Sequence, residues 1–102
     1  MNNTLEALTK AIKEKKVIEF DYKLEGTRLG NSHAIYRHIK TRNILLDLYQ
    51  TKGYSSSNEN IPGWREFDIN EISKINILSE VFNVANGYNR NSERYNNYIA
   101  KI

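Results

Sequence analysis

Apolar residues recur every three or four positions near the start of this chain, which is the spacing of one helix face. Leu5, Leu8 and Ile12 form the apolar stripe, and Asn3 begins a sequence that fits a helix capping box. Lysines cluster where the stripe ends, which is favourable at the negative end of a helix dipole. The pattern predicts a helix from about Thr4 to Glu14.

Beyond the helix the spacing changes to alternation and short apolar runs, which indicates β-strands. The first strand shows this most clearly, because Ile18, Phe20 and Tyr22 alternate with acidic residues. Gly30 predicts a bulge or bend in the second strand, and the isoleucines after the fourth predict a short helical corner. The five predicted strands are residues 18–22, 27–36, 44–49, 64–69 and 75–78.

One helix and five short strands predict a mainly β (α+β) fold. Strands as short as these favour a strongly bent antiparallel sheet, either a partly open barrel or a roll. We place this domain, with its leading helix, at residues 1–82.

The remaining residues have a different pattern and are predicted to form a polar linker and a short helix. Tyr95, Tyr98, Ile99 and Ile102 stand at i, i+3, i+4 and i+7, the spacing of a single helix face. We assign residues 83–102 to this linker and amphipathic helix. The helix is expected to pack either on the barrel or on a second copy of the chain.

A long loop rich in Ser, Gly and Asn, residues 51–63, separates the third and fourth predicted strands. Loops of this length are uncommon in small domains, and those that persist are usually functional or disordered. Large aromatic residues flank this loop, with Tyr49 before it and Trp64 after it. We therefore interpret the loop as an ordered rim of a binding site.

Length and composition place the chain among small globular domains. With 102 residues, 39% hydrophobic content and no cysteine, it can build one modest core without disulfides. No apolar run suits a signal peptide, and none is long enough for a membrane span. We expect a cytoplasmic protein that does not enter the membrane.

Positive charge is concentrated in the first half of the chain. Residues 1–52 carry ten Lys and Arg against six Asp and Glu, whereas residues 53–102 carry five against six. The stretch 26–46 contains basic residues and no carboxylate. Such a segment attracts anionic partners such as nucleic acid or nucleotides, although a solvated strand face has the same composition.

A search for catalytic and metal-binding patterns finds none that is complete. His33 and His38 have no acidic or cysteine neighbour in sequence, so a metal site is not expected. The serines at 55–57 lack a nearby base, and their loop does not have the glycine spacing of a phosphate loop. We expect neither an enzyme nor a cofactor.

The remaining polar and aromatic residues are those of a binding site. Arginines offer planar forks suited to phosphate, aromatic rings offer stacking surfaces, and Gln, Ser and Asn offer hydrogen bonds. Tyr49 and Trp64 fit a hydrophobic core equally well, and Arg65 points to the opposite strand face from Trp64. The candidate ligand-binding residues are the arginines Arg28, Arg37 and Arg65, the aromatic residues Tyr49, Tyr54, Trp64 and Tyr88, and the hydrogen-bonding residues Gln50, Ser55, Ser57 and Asn89.

Several motifs, taken in order, resemble the WYL domain of bacteria and phages. They are LTKAIKEKKVIEFDY, Arg28 followed by SHAIY, NILLDLYQ, WREFDINEISKINIL and SEVF, and they span Leu5 to Phe82. The loop GYSSSNENIPGW and the GYN at residues 87–89 are similar to a short, stand-alone branch of that family.

The chain departs from this family at three positions. Residues 44–46 read Ile-Leu-Leu where the family has its Trp-Tyr-Leu, so stacking by that aromatic pair is lost. Ser32 stands at a usual proline, and Gly30 at a usual β-branched residue. The winged helix-turn-helix that often precedes the domain has no counterpart here, so reading of a DNA sequence is not expected.

The resemblance implies a five-stranded Sm-like (SH3-like) barrel that acts as a regulatory ligand sensor. Members of the family are associated with nucleic-acid fragments or nucleotide-like ligands. The residues that correspond to its basic pocket are Arg28, Arg65 and Tyr22, and those added by the stand-alone branch are His33, Gln50, Ser55 and Ser57.

Three hypotheses of function follow. The leading one is a non-enzymatic module that binds single-stranded nucleic acid or a nucleotide-like ligand between Arg28 and Arg65, with the 51–63 loop closing over it. An alternative is an interaction adaptor or homodimer that uses the apolar face of the C-terminal helix. A third is a phage-encoded sponge that sequesters a signalling nucleotide.

Overall fold

The computed structural model describes residues 2–54 and 61–102, which form one α-helix, six strands and two short 3-10 helices. Helix α1 spans Asn2–Glu14, and the 3-10 helices span Ile69–Glu71 and Glu93–Tyr95. The strands are β1 (Lys16–Tyr22), β2 (Thr27–Arg37), β3 (Ile44–Gly53), β4 (Gly63–Asp68), β5 (Ile72–Val81) and β6 (Tyr98–Lys101). The predicted helix and the predicted mainly β fold are confirmed.

All six strands belong to one antiparallel sheet, in the order β4-β3-β2-β1-β5. Strand β6 pairs with the second half of β2, at Ala34 to Tyr36. The long strand β2 therefore lies between β3 and β1 over its first half, and between β3 and β6 over its second. The described strands form an open sheet of six, so the closed five-stranded barrel is not confirmed.

Helix α1 covers one face of the sheet, which we call the core face. Its apolar side buries Leu8 and Ile12 in a cluster with Phe20 and Phe67. Alternation along β3 sends Leu46, Leu48 and Gln50 to this face and sends Asp47 and Tyr49 to the other, which we call the outer face. The chain after β5 covers part of the outer face, where Tyr88 and Tyr95 pack near Tyr36.

The predicted C-terminal helix is wrong. Tyr95 ends a 3-10 helix and is buried, and the next residues form strand β6. The physical reason is a free edge on the second half of β2, where the Ile102 N–H donates to the His33 carbonyl (3.0 Å) and the Arg37 N–H donates to the Asn97 carbonyl (3.1 Å). Backbone groups of a four-residue segment are better satisfied at such an edge than in a single helical turn.

Because a 3-10 helix and strand β6 replace the predicted helix, its apolar face does not form. Tyr98 and Ile99 are exposed on β6, at 54% and 39%. Tyr95 instead packs against Tyr36, and Ile102 packs against the core cluster. The four residues therefore do not form one surface for a partner.

Other boundaries differ in ways that bear on the site. A register shift between Leu29 and Gly30 confirms the predicted irregularity, and a 3-10 turn stands at the predicted corner after β4. Strand β3 continues to Gly53, so it takes up the first residues of the predicted 51–63 loop. Ser55 and Ser57 lie outside the described residues. Within the ranges described, no helix has the length and apolar character needed to cross a membrane.

Candidate functional site

Arg28 lies at the start of β2, opposite Phe20 of β1, and its side chain points to the core face. Only 4% of the residue is exposed. Its guanidinium carbon is 5.3 Å from the centre of the Tyr22 ring, 5.1 Å from that of Tyr54 and 5.7 Å from that of Phe67. These distances are within the range of cation–π contacts. We call the arginine and its three rings the Arg28 cage.

The ends of two strands hold Tyr54 in this cage. The Tyr54 N–H donates to the Thr27 carbonyl (2.9 Å), and the Gln50 amide nitrogen donates to the Tyr54 carbonyl (2.9 Å). Gly26, at φ +152°, leaves the space that the ring occupies, since a Cβ there would lie 2.8 Å from the Cβ of Tyr54. The turn between β1 and β2 therefore requires glycine where Tyr54 packs.

Two of the three nitrogens of the guanidinium in the cage have no hydrogen-bond partner among the described residues. They are its Nε and one of its terminal nitrogens, Nη2. The nearest carboxylate is that of Glu25, 4.0 Å from Nη2 and half-exposed. Buried polar groups are hydrogen-bonded in the great majority of cases, and buried charges are usually paired. Two unpaired N–H donors on one planar fork match the geometry of a phosphate or carboxylate.

Gln50 and Arg65 stand on the same face of the sheet. Gln50 is fully buried, and its side-chain oxygen has no hydrogen-bond partner among the described residues. Arg65 lies in β4 opposite Leu48 and two residues before Phe67, so strand alternation directs it to the core face, as it does Arg28. The Nη1 atom of Arg65 donates to the Trp64 carbonyl at 2.8 Å.

The outer face carries a separate aromatic group around His33. This histidine is fully buried, and its ring centre lies 4.7 Å from that of Trp64 and 5.1 Å from that of Tyr88. Its Nε2 accepts the Ala85 N–H (3.0 Å), so its Nδ1 carries the hydrogen that is donated to the Asn31 carbonyl (2.8 Å). Burial lowers the pKa of His33 below 6.5, although the Asn31 hydrogen bond and the Asp47 charge oppose this. His33 is thus a neutral residue that anchors the chain after β5.

Tyr49 and Trp64 are also on the outer face. Their ring centres are 5.5 Å apart, and the Trp64 ring lies nearly parallel to Tyr88 at 6.2 Å. The Trp64 indole N–H donates to the Asn86 carbonyl (3.1 Å).

The sheet therefore divides the predicted ligand-binding residues into two groups. On the core face are Arg28, Arg65, Tyr22 and Gln50, and on the outer face are His33, Tyr49 and Trp64. Ser55 and Ser57 belong to neither group, because they lie outside the described residues.

A third arrangement, centred on Asp47, was not predicted. Asp47 is 3% exposed, and it accepts hydrogen bonds from the hydroxyls of Tyr95 (2.7 Å) and Tyr36 (3.0 Å) and from Arg94 (3.1 Å). The Tyr36 hydroxyl also contacts Glu66. The sequence signal was a carboxylate inside the apolar run LLDLYQ, which is unusual unless partners are supplied from elsewhere.

This network shifts the protonation of its members. Burial, the hydrogen bond to Glu66 and the nearby carboxylates raise the pKa of Tyr36, and burial with the hydrogen bond to Asp47 raises that of Tyr95. Burial alone would lower the pKa of Arg94, but the charge of Asp47, the hydrogen bond to it and the two tyrosines together outweigh burial, and the net shift is upward. Both phenols therefore stay protonated as donors, and Arg94 stays charged.

Beside this network is a cavity of about 410 Å³, which we call the outer-face cavity. Its charged lining residues are Asp47, Glu66, Arg65 and Arg94, and Trp64 and Tyr88 supply aromatic surface. Across the described residues, no three His, Cys, Asp or Glu side chains are grouped in a way that could hold a metal ion.

Comparisons with protein-family models, with curated proteins and with solved structures find no match to this chain. Function must therefore be argued from the sites themselves.

Proposed function

We propose that this chain is a non-enzymatic binding module for an anionic ligand of the nucleotide or single-stranded nucleic-acid class, held by Arg28. The observation that carries the proposal is the buried guanidinium, in which two nitrogens have no hydrogen-bond partner among the described residues, inside a cage of aromatic rings. A phosphate that displaces Glu25 would receive both donors. In the complex, hydrogen bonds to the phosphate would add to the cation–π contacts that offset the cost of burying the cation.

The surroundings of Arg28 support a ligand that combines phosphate with a flat ring. Tyr54 is 46% exposed and offers a face for base stacking, which is a common source of affinity in proteins that bind single-stranded nucleic acids. Gln50 adds a buried oxygen without a partner, and Arg65 adds a second positive charge on the same face. Gln50 and Arg65 are among the pocket residues that the WYL resemblance implies.

The finer fold assignment is part of the same proposal. We propose an Sm-like arrangement, on two observations. The strand order β4-β3-β2-β1-β5 follows a single path of neighbours, and β4 and β5 are joined by a 3-10 turn at Ile69–Glu71. A tight turn of this kind allows the two ends of the sheet to curl toward each other.

Nucleotide and oligonucleotide titrations test the proposal. Fluorescence anisotropy with short labelled DNA and RNA, and thermal shift with mono-, di- and cyclic nucleotides, are measured at low salt. We expect saturable binding that weakens as salt is raised, because each neutralised phosphate releases counterions. Arg28→Gln removes the proposed anchor. Arg42→Gln removes the same charge from an exposed position and is the matched control.

The outcome is decided by the pair of variants. Loss of binding in Arg28→Gln alone supports a specific site. Equal weakening in both variants would reduce the effect to net charge, and the proposal would fail.

A second candidate function is self-association through strand β6. The described strands pair β6 with β2 alone, and it exposes Tyr98 and Ile99 next to each other. Exposed edges of this kind can pair with another chain. Light scattering of the wild type against Ile99→Lys tests it, because a dimer through this edge would dissociate. A wild type that is monomeric at all concentrations would dismiss this candidate.

A further inference from the structure

The outer-face cavity is a second site, independent of the Arg28 cage. It lies across the sheet from Arg28, because Asp47 and Glu66 point away from the core face that holds Leu46 and Phe67. Its volume of about 410 Å³ is within the range of small-molecule pockets.

The two carboxylates of the cavity have different partners, and two arginines, Arg65 and Arg94, also line it. Asp47 accepts hydrogen bonds from Arg94 and from the Tyr95 hydroxyl. Glu66 lies in an exposed part of β4, and its only partner among the described residues is the hydroxyl of Tyr36, which has one hydrogen for Glu66 and Asp47 together. Glu66 is therefore the lining carboxylate without a cationic partner among the described residues.

Aromatic surface adjoins this carboxylate. Trp64 and Tyr88 line the cavity with their rings inclined by only 26° and their centres 6.2 Å apart. The faces of Trp and Tyr rings attract cations, with Trp the strongest. Gly87 directly precedes Tyr88 and has a positive φ of 90°. A Cβ at this position would lie 3.2 Å from the indole nitrogen of Trp64. The absence of a side chain at Gly87 keeps this part of the cavity open.

We infer that the outer-face cavity binds a small organic cation, an ammonium group carried on a flat apolar body. The ammonium would donate to Glu66, and the apolar body would lie against Trp64 and Tyr88.

Trp64 is the only tryptophan of the chain, so its fluorescence reports directly on this cavity. The probe is phenethylammonium, and 2-phenylethanol is its neutral counterpart of similar shape. We expect a saturable change in Trp64 emission with the ammonium compound. The alcohol is expected to bind about tenfold more weakly, because a hydrogen bond to a charged group is lost.

Two variants, each of which removes one negative charge, complete the test. Glu66→Gln keeps an oxygen that can accept from Tyr36 but removes the charge, and it should weaken phenethylammonium binding about tenfold. Glu80→Gln changes an exposed carboxylate outside the cavity and should leave the affinity unchanged.

The inference is overturned by any of three results. These are no saturable response of the wild type, an alcohol that binds as tightly as the ammonium, or equal affinity in Glu66→Gln and Glu80→Gln. The first two results come from the wild type, so they hold even if a variant folds poorly. Nucleotide binding at Arg28 is measured separately and does not depend on the answer.

Discussion

Tyr54 covers the guanidinium of Arg28, with its ring centre 5.1 Å from the guanidinium carbon. The tyrosine is half-exposed, whereas the arginine is almost completely buried. Tyr54 is therefore the residue of the Arg28 cage that a ligand in solution can contact directly. Its position depends on the end of β3 and on the turn at Gly26.

Replacing Tyr54 with alanine should weaken the binding of a nucleotide about tenfold or more, since aromatic–base stacking contributes about 1–3 kcal/mol per base. The measurement is isothermal titration of wild type and variant under the same low-salt conditions. Tyr98→Ala is the control, because Tyr98 is similarly exposed but lies on β6. Equal losses in both variants would exclude a specific role for Tyr54.

Arg28→Met should change the free energy of unfolding by less than about 1 kcal/mol. Burying a cation whose nearest carboxylate is 4.0 Å away is unfavourable by several kcal/mol, and three cation–π contacts of about 0.5–2 kcal/mol each offset most of that. Arg94→Met, in contrast, should destabilise the fold by about 1–3 kcal/mol, because a charged hydrogen bond to buried Asp47 is lost.

Urea unfolding of both variants provides the comparison. A loss of about 3 kcal/mol or more in Arg28→Met would mean that Arg28 is a structural residue with full compensation in the free protein. That result would contradict a site prepared for a ligand.

His33 should make the fold less stable as the pH falls below about 6.5. Its pKa is lowered in the folded state by burial, so the unfolded chain binds a proton first. The contribution of His33 is fully present above pH 6.5 and decreases toward the lowered pKa, by at most about 1.4 kcal/mol per pH unit. Urea midpoints between pH 7.5 and 5.5 measure this slope.

The control for this slope is a variant of His33 itself. His33→Gln should reduce the slope, because the group that gains a proton on unfolding is then absent. In the wild type, nitrogen-15 shifts should show His33 with its hydrogen on Nδ1, as its two hydrogen bonds require. A His33 that is doubly protonated at pH 6.5 would contradict the buried, neutral assignment.

Local patterns predicted most of the fold. Helix α1 and the first five strands followed from periodicity, because each has one face in the core and the other in solvent or against a second layer. Strand β6 did not, since its spacing at Tyr95, Tyr98 and Ile99 is also that of a helix. What decides its conformation is the free edge of β2, which the sequence of residues 98–101 does not reveal.

The candidate site was predictable to a lesser extent. Arg28 and Tyr22 were selected from charge and resemblance, and they lie together. His33 and Trp64 also lie together, but on the other face. His33 is five residues from Arg28 in the same strand, so alternation alone sends these two side chains to opposite faces of the sheet.

The sequence does not predict the Asp47 network, because its partners are far apart in the chain. Its partners Arg94 and Tyr95 are 47 and 48 residues away along the chain. Only the return of the chain after β5 across the outer face brings them together. A carboxylate within an apolar strand was the one local sign of it.

The most direct test of the account observes the Arg28 side chain itself. Proton–nitrogen NMR spectra resolve arginine Nε–H groups, and the buried, unpaired Nε–H of Arg28 should give a slowly exchanging signal. On titration with a nucleotide at low salt, we predict that this signal moves saturably while the signal of exposed Arg42 stays in place. An Arg28 signal that does not respond to any nucleotide or oligonucleotide, or that moves no more than that of Arg42, would contradict the proposed function.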